Sequence, residues 1–383
     1  MVARARALVP ALIARARDAE RLRRLPDETI GELHTSGLFA AYRPARYGGA
    51  EVPIRGFIEL GAILASACAS TSWVYNNLVS HNWMLGYWPA MAQREVWADN
   101  PDALIGSGLV MAEGEIRAVN GGWELKGRWP FSSGIDSVEW VMLGARVPQA
   151  DGSVPMPHLF LVPRGDIRVI DTWHAMGLAA TGSKDVAMDG GFVPAHRAVP
   201  FAVGDGGPHP GSAVNPGPLY RIPWYAVFSF VNAGTPIGIA EGAVRDFGQS
   251  IRSRIATYSG KALAELATTQ MRLAEAAVLV DSAMTVTLKD CDEAMALAER
   301  GAIPAIIDRA RWRRDGAYAA QLAARAVDTV FAGAGGAAIH EEHPLQRALR
   351  DIHAGNGHIG VSWDLNGGIY GRVALGLDPE FPL

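Results

Sequence analysis

Apolar residues recur at helical spacing along the N-terminal part of the chain, for example at Ile30, Leu33 and Leu38, with arginine and glutamate between them. This pattern is typical of amphipathic helices. Near Ala103 it changes to apolar–polar alternation broken by glycine turns, which predicts β-strands. From about residue 225 the helical spacing returns. The order helices, strands, helices predicts an α+β protein.

The strand region contains a clear hairpin signal. Residues 116–119 and 123–126 alternate on either side of Asn120-Gly121-Gly122, which has the turn chemistry that hairpins need. Further strands are predicted at 138–147, 158–162, 167–173 and 186–193. Together these segments predict a compact antiparallel β domain that ends near Pro200.

The patterns divide the chain into a helical domain at 1–104, a β-barrel-like domain at 105–202, a linker loop at 203–223 and a helical bundle at 224–383. The linker is assigned from its many prolines and glycines. A large apolar bundle surface commonly continues into a subunit interface, so a homo-oligomer, either a tetramer or a dimer, is expected. Bundle helices are predicted at about 225–258, 261–300, 303–333, 344–354 and 358–374.

Composition narrows the function classes. Of 383 residues 49% are apolar and the net charge is −4, which is typical of an ordinary globular protein without a basic surface for nucleic acid. No apolar run is long enough to cross a membrane, and the N-terminus lacks the core of a secretion signal, so a cytoplasmic location is expected. Cys68 and Cys291 are far apart, so neither a disulfide framework nor a metal site is predicted.

The most informative stretch covers residues 350–372, where glycines interrupt a helical pattern. His358 is predicted to lie in the first turn of the helix that follows the break. A helix N-terminus disfavours the imidazolium, so this histidine is expected to be neutral and able to take a proton. The residues leave open that His358 only caps a helix or bonds within the core.

Three segments resemble the acyl-CoA dehydrogenase superfamily, and they occur in the family's order. They are residues 126–134 with 139–143, residues 176–183 with 186–194, and residues 331–336 with 344–351. The resemblance implies that family's fold, with an N-terminal helical domain, a central antiparallel β domain and a C-terminal helical bundle.

Two departures from the dehydrogenases affect the chemistry. Their carboxylate base would fall near His358, yet no acidic residue stands between Asp351 and Asp364. Their Thr-Glu-Pro motif is replaced by residues 106–112. The chain instead resembles the flavin-dependent monooxygenase branch, which includes the oxygenase components of p-hydroxyphenylacetate and secosteroid phenol hydroxylases. Residues 72–74, 80–83, 127–134 and 366–372 carry this resemblance, with the turn Gly357-His358.

This resemblance implies a cofactor and a partner. Reduced FMN or FAD would come from a separate NAD(P)H:flavin reductase and react with molecular oxygen. The flavin hydroperoxide would then hydroxylate a small aromatic substrate of phenol, indole or polycyclic type. The absence of a nicotinamide-binding glycine fingerprint fits a partner reductase. Two alternatives stay open: an acyl-CoA dehydrogenase-like oxidoreductase acting on an acyl thioester, and a non-catalytic scaffold that has lost flavin.

The same resemblance implies the site residues. Each has a structural alternative, since buried aromatics and histidines are commonly core residues and serines commonly cap turns. An arginine on a helix is commonly solvated. The predicted catalytic residues are His81, His358 and Ser132. The predicted cofactor-binding residues are Trp129, Phe131, Ser132, Ser133, Trp173, Thr181, Ser183, Arg254 and Gln270, and the predicted substrate-binding residues are Asn82, Trp83 and His353.

Overall fold

The N-terminal region is built around one buried helix. The fold is a computed structural model that describes residues 1–112, 115–148, 154–255 and 260–383. Every residue of the central helix α4 except Asn77 is buried. Its polar side chains bond to neighbouring backbone, as when the Ser72 hydroxyl donates to the Gly61 carbonyl oxygen at 2.7 Å. The helices are α1 (Val2–Leu22), α2 (Asp27–Thr35), α3 (Gly56–Ala65), α4 (Ala69–Leu85) and α5 (Ala90–Trp97).

The β domain consists of two four-stranded sheets, in the orders β1-β4-β5-β8 and β2-β3-β7-β6. The predicted hairpin is confirmed, because β2 and β3 pair antiparallel with Val119 opposite Gly122. The strands are β1 (Ile105–Ala112), β2 (Glu115–Val119), β3 (Gly122–Ser132), β4 (Trp140–Val147), β5 (Met156–Pro163), β6 (Arg168–Ile170), β7 (Lys184–Pro194) and β8 (Ala198–Pro200).

Two strand predictions need correction. β1 and β4 run parallel, so the domain is not wholly antiparallel. The hairpin lies between these two strands in sequence and provides the long connection that a parallel pair needs. The strand predicted at 167–173 ends at Ile170. The chain then leaves the sheet, and Asp171 forms an ion pair at 2.6 Å with Arg23, which follows α1.

The C-terminal bundle packs closely on α3. Gly234, Gly238 and Gly242 recur every four residues along α6, and a Cβ at each would lie 2.5, 2.1 and 2.7 Å from a carbonyl oxygen of α3 or its C-cap. Only glycine permits that approach. The predicted α+β class and bundle are confirmed. The bundle helices are α6 (Phe228–Ile251), α7 (Ala267–Glu299), α8 (Ile306–Ala334), α9 (Pro344–Asn356) and α10 (Trp363–Ala374).

Residues 203–223 pack against the end of α4, although proline and glycine dominate their sequence. Trp224 stacks on Tyr87 with ring centroids 5.2 Å apart, and a Cβ at Gly204 would coincide with the Trp224 ring. His209 bonds to the carbonyl oxygens of Tyr87 and Tyr220. The segment therefore fixes the start of the bundle on the N-terminal helices. No helix in the described part of the chain is long and apolar enough to span a bilayer.

Candidate active site

His358 lies in a turn, not in a helix. α9 ends at Asn356 and α10 begins at Trp363, so the prediction that His358 opens a helix is wrong. The imidazole is half-buried, with its centroid 5.2 Å from the Trp73 ring and 5.7 Å from the Phe228 ring. Burial among these rings lowers the pKa of His358 to about 4. The neutral state therefore follows from desolvation and not from a helix dipole.

The turn also fixes the tautomer of His358. The backbone N–H of Gly360 donates to Nδ1 at 3.1 Å. In a neutral imidazole the nitrogen that accepts carries no proton, so the proton of His358 resides on Nε2. His358 consequently offers an N–H donor at Nε2, which corrects the expectation that it takes a proton.

Trp73 connects His358 to the β domain. Its Nε1 donates to Ser133 Oγ at 3.2 Å while its ring packs edge-on against the imidazole. A Cβ at Gly355 would lie 3.6 Å from the Trp73 ring, so a small residue there leaves room for the indole. Trp73 is absent from the predicted site residues because a tryptophan in a buried helix looks like core. Its position in segment 72–74, one of the segments that resemble the monooxygenases, could have identified it as a site residue.

Four hydroxyl groups, at the end of β3 and in the loop before β7, differ in their hydrogen bonding. Ser133 Oγ lies 2.8 Å from Ser183 Oγ, which lies 2.7 Å from Thr181 Oγ1, and the Thr181 hydroxyl donates to the Leu178 carbonyl oxygen. Ser132 Oγ is completely buried and has no partner in the described part of the protein. A buried hydroxyl without a partner costs roughly 1–3 kcal/mol. Its surroundings therefore fit a bound group that completes the hydrogen bond.

Phe131, the residue before Ser132, presents an exposed aromatic face. Its φ of 63° is the left-handed conformation that residues with a side chain rarely adopt, and its ring is 65% exposed. The ring meets Trp173 edge-on at 6.4 Å, and Trp173 Nε1 donates to the Leu178 carbonyl oxygen at 3.2 Å. Phe131 and Trp173 thus form an aromatic pair near the end of β3. They suit a flat ring system such as an isoalloxazine.

The loop that carries Thr181 docks on α9. The Leu178 N–H donates to Asp351 Oδ1 at 2.7 Å, and a Cβ at Gly177 would lie 2.2 Å from the Arg350 carbonyl oxygen. Desolvation raises the pKa of the buried Asp351 carboxyl to about 6. Because its oxygen faces the Leu178 amide, Asp351 has a structural function.

His81 is a second imidazole and is buried, on α4 about 12 Å beyond Trp73 along the helix axis. Its Nδ1–H donates to the Ile105 carbonyl oxygen at 2.8 Å, so Nε2 carries no proton in the neutral ring and can accept a hydrogen bond. Burial lowers the pKa of His81 to about 4.

Comparison with known proteins identifies the family. Residues 230–363 match the C-terminal domain of acyl-CoA dehydrogenases. The oxygenase component of FADH2-dependent resorcinol hydroxylase from Rhizobium sp. is 35% identical over 95% of this chain and 91% of its own length. The crystal structure of HsaA monooxygenase from M. tuberculosis gives a TM-score of 0.92 at 32% identity, covering 99% of this chain and 98% of that one. XiaF from Streptomyces sp., in complex with FADH2 and glycerol, gives 0.92 at 30% identity, with 100% and 96% covered. The chain belongs to the flavin-dependent monooxygenases.

The predicted family, fold and enzyme class of this monooxygenase are confirmed, as is its use of reduced flavin and molecular oxygen. The site residues fit a flavin on three grounds. Ser132 has an unpaired hydroxyl, and Phe131 and Trp173 offer aromatic faces.

Three predicted site residues of the monooxygenase lie in its core. Trp129 is fully buried in the β domain and its Nε1 donates to the Gly144 carbonyl oxygen at 2.7 Å. Asn82 Nδ2 donates to the Phe39 carbonyl oxygen and Trp83 Nε1 to the Leu219 carbonyl oxygen. Each has its N–H engaged by backbone and is packed on all sides. The structural alternative therefore accounts for Trp129 and Trp83, whereas Asn82 Oδ1 is buried without a partner among the described residues. Ligand contact by the three residues stays a prediction.

Of three other predicted residues, His353 and Gln270 are exposed and Arg254 is half-buried. α9 buries Ile352 and Gly355, which turns the neighbouring His353 outward to meet Asp328 at 2.9 Å. His353 therefore does not face the His358 cleft. Arg254 Nη1 donates to the Ala334 carbonyl oxygen, and Gln270 is exposed with its amide on the Ala264 carbonyl oxygen. Flavin contact by Arg254 and Gln270 across a subunit boundary stays a prediction.

Proposed function

We propose that this monooxygenase hydroxylates a small aromatic compound bearing a free ring hydroxyl, with reduced FMN or FAD supplied by a separate flavin reductase. The observation that carries the proposal is the pair of neutral imidazoles with opposite hydrogen-bonding polarity, His81 as an acceptor and His358 as a donor. The relative named as a resorcinol hydroxylase supports the substrate class.

Ser132, Phe131 and Trp173 would hold the flavin ring, the serine through its unpaired hydroxyl and the two aromatics through their faces. The bound reduced flavin supplies, with oxygen, an electrophilic oxygen atom. Trp73 and Phe228 pack against the imidazole of His358 and would shield part of it from water. Water exclusion favours transfer of oxygen to the substrate over loss as hydrogen peroxide.

His358 would donate its Nε2–H to an oxygen atom in the cleft, where an N–H aimed at developing negative charge is most effective. His81 would accept the substrate hydroxyl at Nε2. Because burial lowers the pKa of His81 to about 4, full proton transfer from a phenol is unfavourable. A hydrogen bond that polarises the phenol, and so enriches the ring in electrons, is the role that this environment supports.

The test mixes the purified protein with photoreduced FMN, air-saturated buffer and resorcinol. Hydroxylated product is measured by chromatography and hydrogen peroxide by a peroxidase-coupled dye. We expect product in proportion to reduced flavin, and peroxide mainly when resorcinol is omitted. Peroxide at full yield with or without any phenol would overturn the proposal.

The matched control is 1,3-dimethoxybenzene, which keeps the ring and lacks the hydroxyl hydrogens. We expect peroxide and little product from it, because it has no proton to offer His81. Equal hydroxylation of both compounds would retain the aromatic monooxygenase and remove the role of His81.

We also propose that the enzyme is a homo-oligomer, a tetramer or a dimer. The support is the outer face of α7, where Met271 is 71% and Val278 is 57% exposed, since apolar surface of this kind commonly marks an interface. Light scattering after gel filtration measures the mass directly, and a single 40.8 kDa species would contradict the proposal.

A further inference from the structure

Arg313 on α8 is a buried cation without a described carboxylate partner. It is 1% exposed, and its Nε donates to Asn366 Oδ1 at 2.8 Å while Nη1 donates to the Pro382 carbonyl oxygen at 3.0 Å. The guanidinium also lies 5.2 and 5.1 Å from the ring centroids of Tyr225 and Phe381. Burial lowers its pKa to about 10. A buried charge held only by neutral acceptors and rings destabilises a fold, so its role is to be sought in the groups it holds.

Arg313 holds the side chain of Asn366, which in turn fixes the turn that contains His358. Asn366 is completely buried, and its Nδ2 donates both to the Ile359 carbonyl oxygen at 3.0 Å and to the Ser362 carbonyl oxygen at 2.8 Å. Those two carbonyl groups lie in the segment 357–362 that joins α9 to α10. One amide side chain, oriented by Arg313, therefore fixes the backbone on the C-terminal side of His358.

A second route from Arg313 reaches the imidazole through aromatic rings. Tyr225, over which the guanidinium lies, stacks on Phe228 at 5.8 Å and 18°, and Phe228 contacts the His358 ring at 5.7 Å. The turn has little room to move on this side, since a Cβ at Gly360 would lie 2.7 Å from Asn232 Nδ2. The backbone that follows His358 and the ring of His358 are thus both connected to the same buried cation.

We propose that Arg313 and Asn366 are positioning residues that keep His358 in the orientation and tautomer in which Nε2–H faces the cleft. The inference rests on the proposed function of His358. Asn366 acts by holding the two carbonyl groups, and Arg313 acts by orienting Asn366 and the Tyr225 ring.

The decisive variant is Asn366→Asp. It keeps an acceptor for Arg313 and adds a countercharge, but it removes the N–H donors to Ile359 and Ser362. The matched control is Arg309→Gln, because Arg309 Nη1 also holds the C-terminal segment, at the Leu383 carbonyl oxygen, and makes no described contact with Asn366. If Asn366→Asp does not fold, Arg313→Lys takes its place.

The first measurement is hydrogen exchange followed by mass spectrometry on peptides covering 357–363. We expect exchange in Asn366→Asp to rise about tenfold and exchange in Arg309→Gln to match the unaltered protein. This readout requires no flavin. Unchanged exchange in Asn366→Asp, or an equal rise in Arg309→Gln, would overturn the proposal.

The second measurement separates positioning from mere support of the fold. The rate of hydrogen peroxide release from photoreduced FMN is followed against pH. In Asn366→Asp we expect a several-fold faster release, and an inflection moved upward toward the ordinary histidine value because water reaches the imidazole. If exchange rises while rate and inflection stay unaltered, the contact between Asn366 and the turn is structural only and the proposal fails. If the unaltered protein binds no reduced FMN, the proposed function fails, and the exchange result alone decides whether the turn depends on Asn366.

Discussion

The buried His81 and the half-buried His358 both have a pKa lowered to about 4, yet their surroundings give them opposite hydrogen-bonding polarity. His81 gives its Nδ1–H to the Ile105 carbonyl oxygen, whereas His358 receives the Gly360 N–H at the same ring atom. A single backbone partner thus decides whether Nε2 accepts or donates. The two histidines share residue type and charge state, and the bond at Nδ1 gives them different functions at Nε2.

The largest effect is expected from a substitution that removes the hydrogen-bond donor at His358. His358→Phe is expected to lower turnover about 100-fold, the size typical of losing one donor to developing charge. His358→Gln retains an N–H near the Nε2 position and is expected to remain within about tenfold of the unaltered enzyme. Steady-state rates with resorcinol and photoreduced FMN measure both. A glutamine variant as slow as the phenylalanine variant would show that donation is not the role of His358.

Removing the acceptor should have a smaller effect, limited to the substrate. His81→Phe is expected to slow resorcinol hydroxylation about tenfold, because one hydrogen bond to a neutral acceptor is lost. Peroxide release without a phenol should stay at the unaltered rate. A change in that blank reaction would place His81 at the flavin and not at the substrate.

Acid should abolish the difference between the two histidines. Protonation gives His81 an N–H at Nε2 and displaces the Gly360 N–H from His358 Nδ1. Since both pKa values are lowered to about 4, the rate should be flat between about pH 6 and 8 and fall below about pH 5.

The stability of the folded protein should also decrease as the pH falls. Unfolded histidine binds protons below about pH 6.5 and the folded residues only near 4, so stability is lost as pH falls through this window. Rate and thermal-unfolding profiles against pH test both statements.

The smallest effect concerns Asp351, the carboxyl group on the helix before His358. Its pKa is raised to about 6, so its charge destabilises the folded protein above that pH, by up to about 3 kcal/mol, and the penalty is relieved as pH falls toward 4. Asp351→Asn keeps an oxygen for the Leu178 N–H. The variant should therefore unfold a few degrees higher at pH 8 with the difference shrinking toward pH 5, and turnover should change little. A large loss of turnover would make Asp351 part of the chemistry.

Local patterns were sufficient to predict much of the fold. Helical spacing identified the bundle, and Asn120-Gly121-Gly122 identified the β2–β3 hairpin. Side-chain direction was not predictable in the same way. Trp129 and Phe131 are two residues apart on β3 and should share a face, yet one is fully buried and the other mostly exposed. A register shift between Trp129 and Ser132, with the positive φ of Phe131, reverses the alternation.

The site was only partly predictable for a related reason. Ser132 and Ser133 are identical in sequence terms, but only Ser133 finds hydroxyl and indole partners, which come from segments distant in the chain. His353 and His358 are five residues apart, and the end of α9 between them places one on the surface and the other in the cleft. Such outcomes depend on contacts between elements, which spacing along one element does not encode.

The backbone N–H and carbonyl groups of Leu178 link the β domain of this enzyme to its helical bundle. The Leu178 N–H is anchored on Asp351 of the bundle, while its carbonyl oxygen receives both the Trp173 indole and the Thr181 hydroxyl of the β domain. One residue thus joins the β domain to the helix that precedes His358. The two domains are therefore expected to move together at this point.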